Sequence, residues 1–219
     1  MPNNSFYLVF GLTADPPHKG HEQVIINSHA YMKKAGLIVQ QFDLIPTFEP
    51  NLIAGKRQPV ADFEQRMAMC QIIADELNKT KNFNVQVNDI ERFLAFATHQ
   101  KSYSYQTLKA IDHPNKLFVL SADHFAGRWP KFRKWYMWES LVKENGLLIH
   151  QRPGHNINNS FIGQLQDINP HVFVAQGYPE QAVSSTQIRH SFKQENTAST
   201  DLLNPLVYAY AQSNNIYTK

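Results

Sequence analysis

A single cysteine, Cys70, occurs in 219 residues, which excludes an internal disulfide and leaves no thiol framework for a metal. It falls on the apolar side of a helical pattern, so a buried structural thiol is expected rather than a nucleophile. No run approaches the roughly 20 apolar residues of a membrane span. The start of the chain has no charged segment leading into a long apolar one, so no secretory signal is expected. A cytoplasmic setting with no membrane partner follows as the expectation. Charge is sparse as well: 18% of residues are charged and the net charge is +3, with no Lys/Arg cluster. That suits a small anionic substrate and argues against a nucleic-acid partner. There is no internal repeat or low-complexity segment, and nothing in the sequence specifies an oligomeric state.

The chain does contain strand-like and helix-like segments in alternation. Apolar runs read as strands at Phe6–Phe10, Leu37–Ile45, Phe83–Val87, Lys116–Ser121, Leu147–His150 and His171–Ala175. Helical spacing is read at Glu22–Lys34, Ser104–Ile111, Lys131–Lys143, Ser185–Gln194 and Pro205–Ser213. A further helix begins after Asp62, with Gln65 completing a capping box, and its core face is read as Phe63, Met67, Cys70, Ala74 and Leu77. Gly146 is the expected C-terminal cap of the aromatic helix, and the Asn-rich stretch around Gly154–Ser160 is expected to be a mobile loop. This alternation predicts an α/β, doubly wound, mainly parallel sheet. One domain over 1–219 is expected, with a small C-terminal helical part at about 184–219. Ligands of such folds lie beyond the carboxyl ends of the strands. That edge would carry the loop after the first strand, Asp123, and the loop after the second strand with Lys56.

The loop after the first strand runs Gly11-Leu12-Thr13-Ala14-Asp15-Pro16-Pro17-His18-Lys19-Gly20-His21. It is not a P-loop, because Lys19 precedes Gly20 and no Ser or Thr follows. The three-glycine dinucleotide fingerprint is also missing. His18 and His21 are three apart, so in a first helical turn they share a face. A helix start there offers free backbone N–H groups and a partial positive charge to phosphate. Two imidazoles and a lysine beside such a site suggest chemistry on phosphate. The other histidines, such as His29, His99 and His171, read as surface or satisfied positions. A second stretch, Ser184-Ser185-Thr186-Gln187-Ile188-Arg189, opens a helix with hydroxyls and places Arg189 on the same face. Alone it reads as a capped helix with a solvated arginine; beside the histidine loop it reads as a second anion contact.

These two stretches resemble the (T/H)-x-G-H nucleotidyltransferases, and the chain is most similar to their nicotinate mononucleotide adenylyltransferase family. The resemblance extends through Asp89-Ile90-Glu91, Ser102-Tyr103-Ser104, Ala122-Asp123, the Trp135 segment, Arg152-Pro153-Gly154 and Asn215-Ile216-Tyr217. It implies a Rossmann-like nucleotidyltransferase fold, ATP and a pyridine mononucleotide as substrates, and Mg²⁺ held mainly by the ATP phosphates. His18, His21 and Arg189 would be catalytic. Gly11, Leu12, Thr13, Lys19, Gly20, Lys56, Asp123, Ser185 and Thr186 would bind ATP, with Asp123 either touching the adenosine or ordering the strand end. Ser104 and Trp135 would bind the acceptor, and the other aromatics of that region would be core. The chain departs from the family at Leu12, expected to crowd a phosphate, at Ala14, expected to leave an aromatic contact missing, at Ser104 and in an insertion near Arg128–Arg133. A related transferase acting on nicotinamide mononucleotide or phosphopantetheine, a cytidylyltransferase, and a non-catalytic nucleotide sensor are the alternatives.

Overall fold

Leu117 to Leu120 are four consecutive apolar residues, and all four are buried, as in a strand covered on both faces. They form β4 (Lys116–Ser121) in a computed structural model that describes residues 4–50, 58–178, 183–193 and 201–218. The other strands are β1 (Ser5–Leu12), β2 (Ile38–Pro46), β3 (Val85–Val87), β5 (Gly146–His150) and β6 (Val172–Ala175). The sheet order is β3-β2-β1-β4-β5-β6. Pairs β1–β4, β4–β5 and β5–β6 are parallel. Bonds from Ile38 N to Asn4 O and from Thr47 N to Leu12 O advance together along β1 and β2, so that pair is parallel too. The order reverses at β1, so the loop leaving β1 starts at the point of reversal. The doubly wound fold expected from alternation is the fold observed.

The helices are α1 (Lys19–Lys34), α2 (Phe63–Lys81), α3 (Ile90–Thr98), α4 (Ser104–Ala110), α5 (Trp138–Glu144), α6 (Asn159–Ile168), α7 (Ser185–Lys193) and α8 (Pro205–Ser213). None of the described helices is long and apolar enough to cross a membrane. The chain divides into two compact units. The first comprises Met1–Phe10, Val24–Asp43 and Ser102–Glu180, and the second comprises Gly11–Gln23, Leu44–Lys101 and Gln181–Lys219. In the first, β4 and β5 are lined by buried residues, with Leu141, Val142, Phe161 and Leu165 buried on α5 and α6. In the second, α2 contacts β3 and α8, and Asn78 on α2 bonds both the N–H and the carbonyl of Val85.

Several local readings are corrected. Helix α1 starts at Lys19 rather than Glu22, because the His18 carbonyl already accepts the N–H groups of His21 and Glu22. The Asp62–Gln65 capping box is present, but the buried stripe of α2 is Arg66, Met69, Cys70, Ile73, Ala74 and Leu77; Phe63 and Met67 are only half-buried. The aromatic helix is broken. A 3₁₀ turn, Lys131–Lys134, is followed by Met137 at φ 53°, and α5 starts only at Trp138. Gly146 is not a helix cap: it opens β5, where an added Cβ would lie 2.5 Å from the His171 carbonyl oxygen. The Asn-rich stretch is the lead-in to α6, with the Asn158 side chain accepting the Phe161 N–H as N-cap.

Candidate active site

The loop after β1 belongs to the second unit, and its ends are fixed by backbone bonds. Leu12, the last residue of β1, is buried and accepts the Thr47 N–H. Ala14 is buried at φ 57°, a left-handed conformation costly for a residue with a Cβ, and the Asp15–Pro16 bond is cis. Gly11 and Thr13 are exposed.

The two histidines stack with ring centroids 3.8 Å apart. The Nδ1 of His21 accepts the His18 N–H at 3.1 Å, and the Nδ1 of His18 accepts the Gly20 N–H at 3.1 Å. An accepting Nδ1 carries no proton, so each neutral ring carries its N–H at Nε2. The expectation of free backbone donors is corrected by the same contacts. The N–H groups of His18, Gly20 and His21 are spent within the turn, and that of Lys19 on the Leu202 carbonyl. The Lys19 ammonium is likewise held, donating to the Asp201 carbonyl at 2.8 Å.

The second motif docks on this loop. Ser185 Oγ donates to the Pro16 carbonyl at 3.0 Å. Arg189 donates from one nitrogen to the Asp15 carbonyl at 2.5 Å and from another to Thr186 Oγ1 at 3.1 Å. The same guanidinium lies 3.4 Å from the Asp15 carboxylate. The sequence reading passed over Arg66, 2% exposed, which donates to the carbonyls of Thr13, Thr47, Phe48 and Ala61. Burial pulls its guanidinium below the usual arginine range, partly offset by Asp15. A charge on the apolar stripe of α2 was the signal that could have found it. Asp15 and Tyr217 were also missed. Lys56 lies outside the described residues.

The remaining candidates belong to the first unit. Asp123 sits in a 3₁₀ turn just past β4. Burial would raise its carboxyl, but the Ser121 hydroxyl, His124, Arg152 and His155 together hold it below the usual carboxylate range. Ser104 is half-buried in the first turn of α4. Trp135 is half-buried, edge-on to His124 at 5.1 Å and near Phe132 at 5.2 Å. Trp138 packs edge-on to Phe161, whereas Trp129 is 75% exposed.

A family model described as cytidylyltransferase-like matches residues 9–191, from inside β1 to α7. The chain belongs to the cytidylyltransferase-like family. Among curated proteins it is similar to nicotinate-nucleotide adenylyltransferase of Bacillus subtilis (strain 168), at 27% identity over 95% of this chain and 96% of the relative. Probable nicotinate-nucleotide adenylyltransferase of Yersinia enterocolitica is 25% identical over 99% of each chain. Among solved structures, Plasmodium falciparum nicotinic acid mononucleotide adenylyltransferase complexed with NaAD matches with a TM-score of 0.72 at 20% identity, covering 97% of each chain. That likeness is one of fold. Within this cytidylyltransferase-like chain, the second unit brings together the stacked imidazoles of His18 and His21, the Arg189 guanidinium one turn from the Thr186 hydroxyl, and a loop pinned by Arg66.

Proposed function

We propose that the protein transfers the adenylyl group of ATP to nicotinate mononucleotide, forming nicotinate adenine dinucleotide and pyrophosphate. The acceptor identity rests on the names of relatives matched over nearly their whole length. The chemistry rests on the imidazole pair whose Nδ1 atoms are both accepting. An acceptor phosphate oxygen attacks the α-phosphorus, and the bond from that phosphorus to the bridging oxygen breaks. Pyrophosphate leaves with the electron pair. The nucleophile is already an anion, so the protein aligns two polyanions and stabilises charge without a strong base. His18 and His21 donate from Nε2 to the triphosphate and to the bridging oxygen as charge builds. Arg189, Ser185 and Thr186 hold the β- and γ-phosphates, and Lys19 adds positive potential.

Mg²⁺ fits this set as an ion carried by substrate. Asp15, the only carboxylate of the loop, already accepts from Val60 N, Ala61 N and Tyr217, so phosphate oxygens and water would supply the ligands. When bound, the ion neutralises phosphate charge. For the acceptor, Trp135 stacks on the pyridine ring and Ser104 bonds its carboxylate. Asp123 serves the adenosine end. A single cysteine, buried at Cys70, accords with work in the cytoplasm.

Pyrophosphate release with Mg²⁺-ATP and nicotinate mononucleotide, nicotinamide mononucleotide or phosphopantetheine tests the reading. Turnover is expected with the nicotinate compound first. His21→Ala should lower it by about 100- to 1,000-fold, as for loss of one transition-state donor. No release with any acceptor while ATP still binds, or near-normal turnover in His21→Ala, would overturn it.

A further inference from the structure

Asp15 and Tyr217 have no task in the reaction as written, yet they contact the group that does. Asp15 is 4% exposed and Tyr217 is 2% exposed. The Tyr217 hydroxyl donates to Asp15 Oδ1 at 2.9 Å, and Ala61 N donates to the same oxygen at 3.0 Å. Oδ2 takes the Val60 N–H at 2.9 Å and faces Arg189 at 3.4 Å. The Tyr217 ring packs 5.6 Å from that of Phe192, one turn beyond Arg189 on α7. Burial and the Asp15 charge push the Tyr217 hydroxyl far above the usual tyrosine range, so it remains a donor at any working pH.

A buried carboxylate divides its attraction among its donors. With three N–H and O–H groups already on the Asp15 carboxylate, the Arg189 nitrogen that donates to the Asp15 backbone carbonyl at 2.5 Å stays 3.4 Å from that carboxylate. That is longer than the 2.7–2.9 Å typical of a fully formed charge-assisted hydrogen bond. We infer that Tyr217 is a positioning residue, which by sharing the Asp15 carboxylate keeps the Arg189 guanidinium, held by the Asp15 carbonyl and Thr186, from being drawn onto that carboxylate and away from the ATP phosphates. Without the hydroxyl, Asp15 has one donor fewer and closes on the guanidinium. Asp15 then competes with the triphosphate for it.

The inference rests on Arg189 serving the phosphates, so Arg189→Ala is measured alongside. Tyr217→Phe keeps the ring against Phe192 and removes only the hydroxyl. It should lower kcat/KM for ATP by about tenfold, the scale of one hydrogen bond to a charged group. The KM for the pyridine mononucleotide should stay within twofold. In an Arg189→Ala background the same substitution should change kcat/KM for ATP by less than twofold, because the group it acts through is gone. Equal losses in both backgrounds, an equal rise in KM for both substrates, or loss of the fold in Tyr217→Phe would make the residue merely structural and overturn the proposal. Normal activity in Arg189→Ala would instead overturn the assigned role of Arg189 itself.

Discussion

A residue's chemistry here depends on what its other atoms are bonded to. The pair His18 and His21 is legible in the sequence as a spacing. The protonation of each ring is not, since it follows from which backbone N–H each Nδ1 accepts. Cys70 is a simpler case: read as a structural thiol, it is 0% exposed, and burial pushes it up to about 12, where it is inert as a nucleophile. Arg66 is the opposite. Its type promised exposure, but its donors meet four carbonyl oxygens from three segments. Arg66→Met keeps much of the stem and strands those oxygens, so it should cost on the order of 3 kcal/mol in urea unfolding. A loss under about 0.5 kcal/mol would mean that water satisfies the carbonyls.

Elements were read best where the signal is local. The capping box of α2 and the apolar run of β4 appear where expected, because both depend on neighbours within four residues. Helix α3 was missed: none of its residues is buried, and Phe93 and Phe96 are each 66% exposed, so its apolar residues mark no core face. The aromatic segment was misread as one helix because helical spacing of Trp and Tyr gives no sign of the left-handed residue Met137. Gly146 read as a cap because glycine after a helix is common, whereas its reason is steric and lies in β4 and in the residue just before β6. An added methyl would meet both the His171 carbonyl and Leu117 Cδ2 at 2.5 Å. Gly146→Ala should therefore destabilise by about 3 kcal/mol. A melting temperature equal to the parent's would show that β6 can yield.

For the molecule as a whole, the pH dependence of stability follows from groups hidden by the fold. His150, 4% exposed at the end of β5, bonds Ser28 Oγ through Nε2 at 2.8 Å, and burial lowers it from 6.5 to about 4. The unfolded chain thus takes a proton near pH 6.5 that the folded chain refuses until about pH 4. Stability should fall over that interval by roughly 3 kcal/mol from this group and then level off. Urea midpoints at pH 7, 5.5 and 4.5 check it, and His150→Gln should remove one proton from the slope. An unchanged slope would assign the loss elsewhere. The sequence by itself determined the alternating α/β order, the two stretches proposed to handle phosphate and the family they resemble. These are set by periodicity, caps and short spacings, all properties of near neighbours. Only the tertiary structure decided which donors are already spent. It also showed that Asp15 joins the site to Arg189 and Tyr217, 174 and 202 residues away. Contacts over such separations leave no periodic trace in a single chain; they exist only once burial forces each polar group to find a partner.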